Sequence, residues 1–328
     1  AISSVLTITL ISLTAQLTFA AMTPQKLRCE YLENPLGIDV QIPRLSWIVT
    51  SDQKAQHQSA YQLLVASSKD KLTPEKADML NTGKIKSSET VNIEYSGKKL
   101  NPDSLYFWKV KVWDKNDNPS KWSDIARFSM GLLDKSQWKG QWISYTPKDV
   151  EFSTDPHKPY TNVPLPWMRK TFKLNEKPKR AFTYVASFGY HQLYINGQKV
   201  TLNPLTPAYT QWNKRVLYTT YDVTPFLKKG ENCIALKLGY GWFRKGVRGV
   251  FHRTPLAKLQ LSAKFPDAQT ETIVTDSSWQ WHPAATTMAH VHHGKKGRSG
   301  AERFDARKKT NSFAKVKTKL TDFQPVDI

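Results

Sequence analysis

The 328 residues predict an all-β protein made of two sandwiches in series. Apolar and polar side chains alternate at period two in one run after another, the pattern of half-buried strands. The runs are broken by turn chemistry, as at Asn81-Thr82-Gly83-Lys84, Asn196-Gly197 and Gly230-Glu231-Asn232. A chain of this length with 39% hydrophobic residues is long enough for two domains. Eleven Trp within 12% aromatic content suit both sandwich cores and sugar-handling surfaces.

Val5 to Ala20 is an uncharged apolar run, followed by small residues that fit a signal-peptidase cut after Ala20. Residues 1–20 are therefore expected to be a signal peptide whose basic start is missing, and the mature protein to be secreted or periplasmic. The opening without Met and the end at Pro325-Val326-Asp327-Ile328 are those expected of a fragment of a longer protein. Nothing after residue 20 is apolar enough to span a membrane. Lys26-Leu27-Arg28 in front of Cys29 does not resemble a lipobox, so no membrane attachment is expected. Cys29 and Cys233 fall in different domains and are expected as two buried free thiols.

Residues 22–132 read as the first sandwich. Trp47 lies on an alternating strand, LSWIVTS, and SAYQLLVASSKDKL supplies a second one. In LYFWKVKVW, residues Tyr106, Trp108, Val110 and Val112 share one face, with Lys109 and Lys111 on the other. The spacing Leu100–Pro102–Tyr106 is similar to the tyrosine corner of fibronectin type III domains, which implies a fibronectin III/immunoglobulin-like fold. The strand positions of Trp47 and Trp108 make them core residues.

Residues 138–290 read as the second sandwich. A Pro-rich loop from Thr146 to Pro166 precedes WMRKTFKL. The stretch from Phe182 to Phe243 then supplies three extended runs around the Asn196-Gly197 hairpin. PLAKLQLSAKF and ETIVTDSSWQWHP follow. Seven or eight strands without an amphipathic helix predict a jelly-roll sandwich. Residues 291–328 carry a dense positive charge and are expected as a basic linker or the start of a next domain.

The order GYHQLYING, P-x-Y-T, KRVLYTTYDVT, L-x-x-GEN and LGYGWF resembles the non-catalytic N-terminal module of bacterial α-L-rhamnosidases. WKGQWIS at Trp138–Ser144 resembles its entry, LPWMRKTFKL its first strand, and GAERFDAR at Gly300–Arg307 a segment that follows it. DSSWQWHP is similar to the closing strand of galactose-binding-type modules. Beyond Arg307 the sequence departs from the family pattern. The resemblance implies hydrolysis of terminal α-L-rhamnosyl bonds by an inverting pair of carboxylates. It places that pair in a downstream (α/α)-barrel, so no catalytic residue is expected in this chain. Glu302 and Asp305, beside Arg303 and Arg307, are expected to form salt bridges.

For binding, a sugar needs a flat aromatic for its C–H face and planar hydrogen-bonding groups for its hydroxyls. Tyr209, Gln211, Trp212 and Asn213, with Trp242 and Arg244, supply that mix at strand ends and are the candidate carbohydrate contacts. Alternatively, Trp212 and Trp242 cap the core. His290, His292 and His293 are the nearest approach to a metal cluster, but lack a neighbouring Cys or carboxylate, and no metal or other cofactor is expected. The residues leave calcium dependence open.

The net charge is +21, with ten Lys or Arg between Gly294 and Leu320 against Glu302 and Asp305. The remaining Lys are scattered along strands and turns, a solvated surface and not a nucleic-acid face. The expected partners are rhamnose-containing plant or microbial glycans and the missing C-terminal catalytic domain. Two other readings remain: a stand-alone secreted carbohydrate-binding protein, and a polyanion binder that uses the basic tail.

Overall fold

The computed structural model describes residues 22–148, 163–241, 243, 254–292, 298–308 and 312–328. It is all-β and divides into two compact units. The first holds the described residues up to Leu100 with Ser104–Ser129; the second holds Asn101–Asp103 and the described residues from Met130 onward. The apolar run of residues 5–20 lies outside the described residues.

In the first unit, β1 (Met22–Cys29), β2 (Arg44–Ser51) and the later β6 form one sheet. The second sheet contains β3 (Ala60–Ala66), β4 (Leu80–Asn81) and β5 (Ile85–Lys86). It is completed by β7 (Leu105–Trp113) and β8 (Ala126–Ser129); β6 is Ile93–Glu94. The alternation read in β7 is the packing observed. Tyr106, Trp108, Val110 and Val112 are buried, and Val65, Leu63 and Tyr61 of β3 pair with Trp108, Val110 and Val112 on the same face. Trp47 is buried, donates its indole N–H to Gln58 Oε1 at 3.0 Å and meets Tyr61 edge-on at 5.3 Å. Lys109 and Lys111 point the other way, each with its ammonium within 5 Å of the Trp122 ring centre, and partial burial there lowers both below the usual lysine range. Cys29 and Cys233 are both buried and free.

The second unit is a two-sheet sandwich. Its strands are β9 (Pro164–Leu174), β10 (Arg180–Phe188), β11 (Tyr190–Ile195), β12 (Gln198–Lys199), β13 (Tyr218–Asp222) and β14 (Gly230–Gly239). They continue as β15 (Leu256–Lys264), β16 (Thr270–Val274), β17 (Gln280–His292), β18 (Arg298–Phe304) and β19 (Gln324–Pro325). One sheet has the order β13-β10-β15-β16, the other β12-β11-β14-β9-β17-β18 with β19 beside β17. The Asn196-Gly197 turn takes φ of 51° and 84°, the positive values a two-residue hairpin requires, and Ile195 pairs with Gln198 across it. The core lies between the sheets. Val185, Leu259 and Leu261 on one side face Met168, Leu193, Leu236 and Trp281 on the other, all with almost no exposure. Burial of this apolar surface is the main stabilising term.

Two boundaries differ from the sequence reading. The Pro-rich segment does not run on to Pro166: β9 already begins at Pro164, and Pro166 pairs with Pro283 where the register to β17 shifts. Neither residue has an N–H to donate, so the ladder is interrupted where the register shifts. The basic tail is not a free linker. β18 pairs with β17 from Phe304↔Thr286 to Arg298↔His292, and β19 pairs with the start of β17. Phe313 and Ala314 are buried on the outer face of the larger sheet, where Phe313 stacks on Trp167 at 4.8 Å. The Lys and Arg of this stretch obscured a few apolar anchors in the sequence.

Candidate functional site

The outer face of the larger sheet gathers the polar chemistry. Tyr190, Gln192 and Tyr194 alternate outward from β11, opposite Gly239, Lys237 and Ala235 of β14. Next to them, β17 and β18 bring Met288 opposite Glu302. The loop after β12 adds Pro204 and Leu205, and Tyr240 and Gly241 close the end of β14. Together these residues, Tyr194 and Ala235 apart, line a cleft of about 340 Å³.

Two glycines hold the cleft open. A side chain at Gly241, where φ is 49°, would strike the Tyr190 ring at 2.6 Å, so that ring lies against bare backbone. A Cβ at Gly239 would come within 3.0 Å of Glu302 Oε1, so the carboxylate occupies the space that any other residue at 239 would need. Partial loss of solvent holds the Glu302 carboxyl above the ordinary range, while Lys237 pulls it down. Glu302 is still exposed over more than a third of its surface, so this shift carries little stability. Asp305 is not its partner in chemistry. Its carboxylate takes Arg307 Nε and Nη2, both at 2.9 Å, and is held below its usual range by that pairing. The expected salt bridge therefore forms for Asp305, with Arg307.

Behind the cleft, His191 is fully buried on the inward side of β11. Its Nδ1 lies 2.8 Å from Ser187 Oγ and its Nε2 2.9 Å from the Tyr221 hydroxyl. Ser187 Oγ donates its own proton to Gly189 O at 3.0 Å, so it accepts from His191 Nδ1–H. Nε2 is then the lone-pair nitrogen, and Tyr221 donates to it. Burial lowers the imidazole pKa to about 3, so the ring is neutral. The backbone N–H of His191 donates to Thr206 O at 3.0 Å and ties the loop that carries Pro204 and Leu205 to β11.

The candidate sugar contacts are only partly brought together. Tyr209 is 58% exposed and sits edge-on to Trp212 at 5.1 Å, but Trp212 is only 8% exposed and meets Phe243 edge-on at 5.3 Å. The Trp212 ring is thus a packing piece of the outer cluster. Gln211 and Asn213 are exposed on a turn closed by the Lys214 and Arg215 N–H groups, which donate to Gln211 O at 2.8 and 2.9 Å. Trp242 and Arg244 lie outside the described residues, as does His293. His290 and His292 are on β17 opposite Gly300 and Arg298. No group of three or more His, Cys, Asp or Glu suited to a metal occurs among the described residues.

Two family models match in order along the chain: the Rha78A-like N-terminal immunoglobulin domain over residues 24–134 and the alpha-L-rhamnosidase N-terminal domain over residues 176–328. The chain belongs to the α-L-rhamnosidase family, as its N-terminal modules. An alpha-L-rhamnosidase of Formosa agariphila is 31% identical over 295 residues, which are 84% of this chain and 30% of that protein. The solved alpha-L-rhamnosidase of Dictyoglumus thermophilum superposes with a TM-score of 0.77 at 34% identity, over 93% of this chain and 34% of that one. The alpha-L-rhamnosidase of Streptomyces avermitilis, solved with L-rhamnose, shares the fold, with a TM-score of 0.80 at 21% identity over 94% of this chain and 45% of that one. This chain spans about a third of the length of the curated rhamnosidases it matches.

The second family model runs to residue 328, so the stretch after Arg307 belongs to the rhamnosidase module although its motifs depart from the expected pattern. Sequence reasoning missed Tyr190, Gln192, Lys237 and Glu302 as one group. The signal was present in part: Tyr190, Gln192 and Tyr194 stand at period two. What joins them to Glu302 is a strand pairing across more than a hundred residues.

Proposed function

We propose that this chain is the N-terminal accessory portion of an exported α-L-rhamnosidase. It scaffolds, and helps to position glycan for, a downstream barrel that cleaves terminal α-L-rhamnosyl bonds with an inverting acid–base pair. The observation that carries the reading is the ordered match of two rhamnosidase N-terminal models along one chain that spans about 30% of its Formosa relative. Partners in this reading are rhamnose-containing glycans and the catalytic region that follows. The exposed Tyr209, Gln211 and Asn213 are the loop groups offered to a glycan. A stand-alone carbohydrate-binding role is the second reading, favoured by the cleft beside Tyr190.

The test is hydrolysis of an aryl α-L-rhamnoside. This chain alone is expected to release no rhamnose above buffer, whereas a chain extended past Ile328 to the length of its relatives turns over with inversion at the anomeric carbon. Turnover by the short chain, abolished by Glu302→Gln, would move the acid into this module and sink the accessory reading. Export has its own check. Intact mass of the periplasmic or secreted protein is expected to place the mature start near Ala21, and a mature chain retaining residues 5–20 would contradict it.

A further inference from the structure

The first unit carries an exposed apolar patch on a turn that its own fold holds rigid. Cys29 and Leu32 bond to each other in both directions, N–H to O, at 2.9 and 3.0 Å, which closes a two-residue turn over Glu30 and Tyr31. Both turn residues have positive φ, 48° and 66°. Asn-Gly ordinarily fills such a turn, and a bulky side chain there is strained. The turn is held from outside. Glu30 Oε1 accepts from the Arg44 backbone N–H at 2.7 Å and from its Nε at 3.0 Å, and Oε2 accepts from Nη2 at 2.6 Å. The Arg44 guanidinium then lies over the Tyr31 ring at 4.9 Å. Just beyond the turn, Asn34 Oδ1 accepts from the Arg127 N–H at 2.8 Å and Pro35 O from the Ser129 N–H at 3.0 Å. The residues that this arrangement leaves in water are apolar: Tyr31 is 53% exposed, Leu32 60%, and Ile42, two positions ahead of Arg44, 57%.

A fixed Tyr stacked on Arg, with Leu and Ile beside it, has the composition of the centre of a protein–protein interface. Holding it in place beforehand removes part of the ordering cost of binding. Charge narrows the partner. In a chain of net charge +21 the cations at this patch are neutralised locally, Arg44 by Glu30 and Arg28 by Glu33 at 3.8 Å. A polyanion finds little field there. Area narrows the partner further. Three such side chains expose a few hundred Å², well short of the roughly 800 Å² per partner in a free-standing complex. A second copy or a foreign protein gains too little from so small a patch, whereas a covalently linked neighbour meets it intramolecularly. This chain spans 30% of its Formosa relative, most of which lies outside the matching stretch. We propose that the Tyr31–Leu32–Ile42 patch is a docking surface for the polypeptide that follows Ile328, which meets it with an apolar face. The occupant rests on the reading of this chain as an N-terminal portion; the patch rests on its own geometry.

Hydroxyl-radical footprinting read by mass spectrometry tests this on two chains, the present one and one extended past Ile328 to the length of its relatives. Tyr31 and Leu32 are expected to oxidise readily in the short chain and about fivefold or more slowly in the extended one. Leu32→Asp combined with Ile42→Asp is expected to return Tyr31 to the short-chain rate in the extended chain, and to leave the melting temperature of the short chain unchanged. Should that variant fold poorly, the two parent chains decide alone. Equal oxidation of Tyr31 in both parents overturns the docking surface. Protection in the short chain that grows with concentration, together with a dimer on sedimentation, overturns it too by giving the patch to a second copy. Turnover of the aryl rhamnoside is scored separately. An active extended chain with Tyr31 open sinks this inference and leaves the accessory reading standing, whereas a protected Tyr31 in an inactive extended chain does the reverse.

Discussion

Arg169→Ala is expected to lower the stability of the second unit by about 2–3 kcal/mol and to loosen residues 312–328 from the sheet. Arg169 is almost fully buried on the outer face of β9, and its Nη2 donates to Lys315 O at 2.8 Å and to Val316 O at 3.2 Å. The Phe323 ring lies over the guanidinium at 5.2 Å. One side chain thus satisfies two backbone carbonyls of a segment that is otherwise held mainly by Phe313 and by the short β19. Removing it breaks two part-buried, charge-assisted hydrogen bonds to carbonyls that can then turn to water, and takes away the packing of the Arg stem. The molecule contains its own reporter. Cys233 Sγ sits 3.6 Å from Arg169 Nη2 with no exposure, and burial holds its thiol above the ordinary range despite the nearby Arg. In the parent protein an aromatic disulfide reagent should leave Cys233 untouched. In the variant it should label Cys233 under native conditions, while buried Cys29 in the other unit stays protected. An unchanged urea midpoint together with an unlabelled Cys233 would show that Arg169 does not hold the tail.

Strand identity was legible because alternation is a local signal. Tyr106, Trp108, Val110 and Val112 could be placed on one face from spacing alone, and Asn196-Gly197 from the positive φ its turn demands. The end of the module was not legible. Between Gly294 and Leu320 cations outnumber apolar residues, and charge density reads as solvated linker. Phe313 and Ala314 nevertheless supply enough apolar surface to dock, with Arg169 waiting beneath them for two carbonyls. Nothing near Arg169 in sequence announces that need. The candidate site was legible only at the level of residue types. Trp212 has the composition of a sugar contact and the burial of a packing residue, and a sequence does not separate the two when the covering groups, Phe243 and Tyr209, come from different turns. The cleft fared worse, since Glu302 meets Gly239 only through the β17–β18 pairing.

Lowering the pH from 6.5 to 4.5 should cost the second unit about 2 kcal/mol through His191 alone. The folded pKa is depressed to about 3, and an unfolded histidine titrates near 6.5. Above pH 6.5 both states hold a neutral ring, and the histidine adds no pH dependence. Below it the unfolded chain takes up a proton that the folded one refuses, so stability falls by about 1.4 kcal/mol per pH unit, reaching roughly 5 kcal/mol near pH 3 and levelling off beneath it. The refusal has a structural cause. Ser187 accepts from Nδ1–H because its own proton is committed to Gly189 O, and a second ring proton would put an uncompensated charge into a site with no solvent. Asp276, which burial raises but Lys170 and Ser278 hold below its ordinary range, loses its contribution only as pH falls below the ordinary carboxylate range, so the window above 4.5 isolates the imidazole in this unit. Glu302 acts in the opposite sense, its raised carboxyl easing as it protonates, but its exposure makes that contribution small. Urea unfolding at pH 7, 6, 5 and 4.5 reads the slope. The His191→Gln variant, which keeps an amide donor and acceptor near Ser187 and Tyr221 but cannot titrate, should be nearly flat across the same range. A variant that retained the parent slope would assign the acid sensitivity to another group and leave the neutral His191 without consequence for stability.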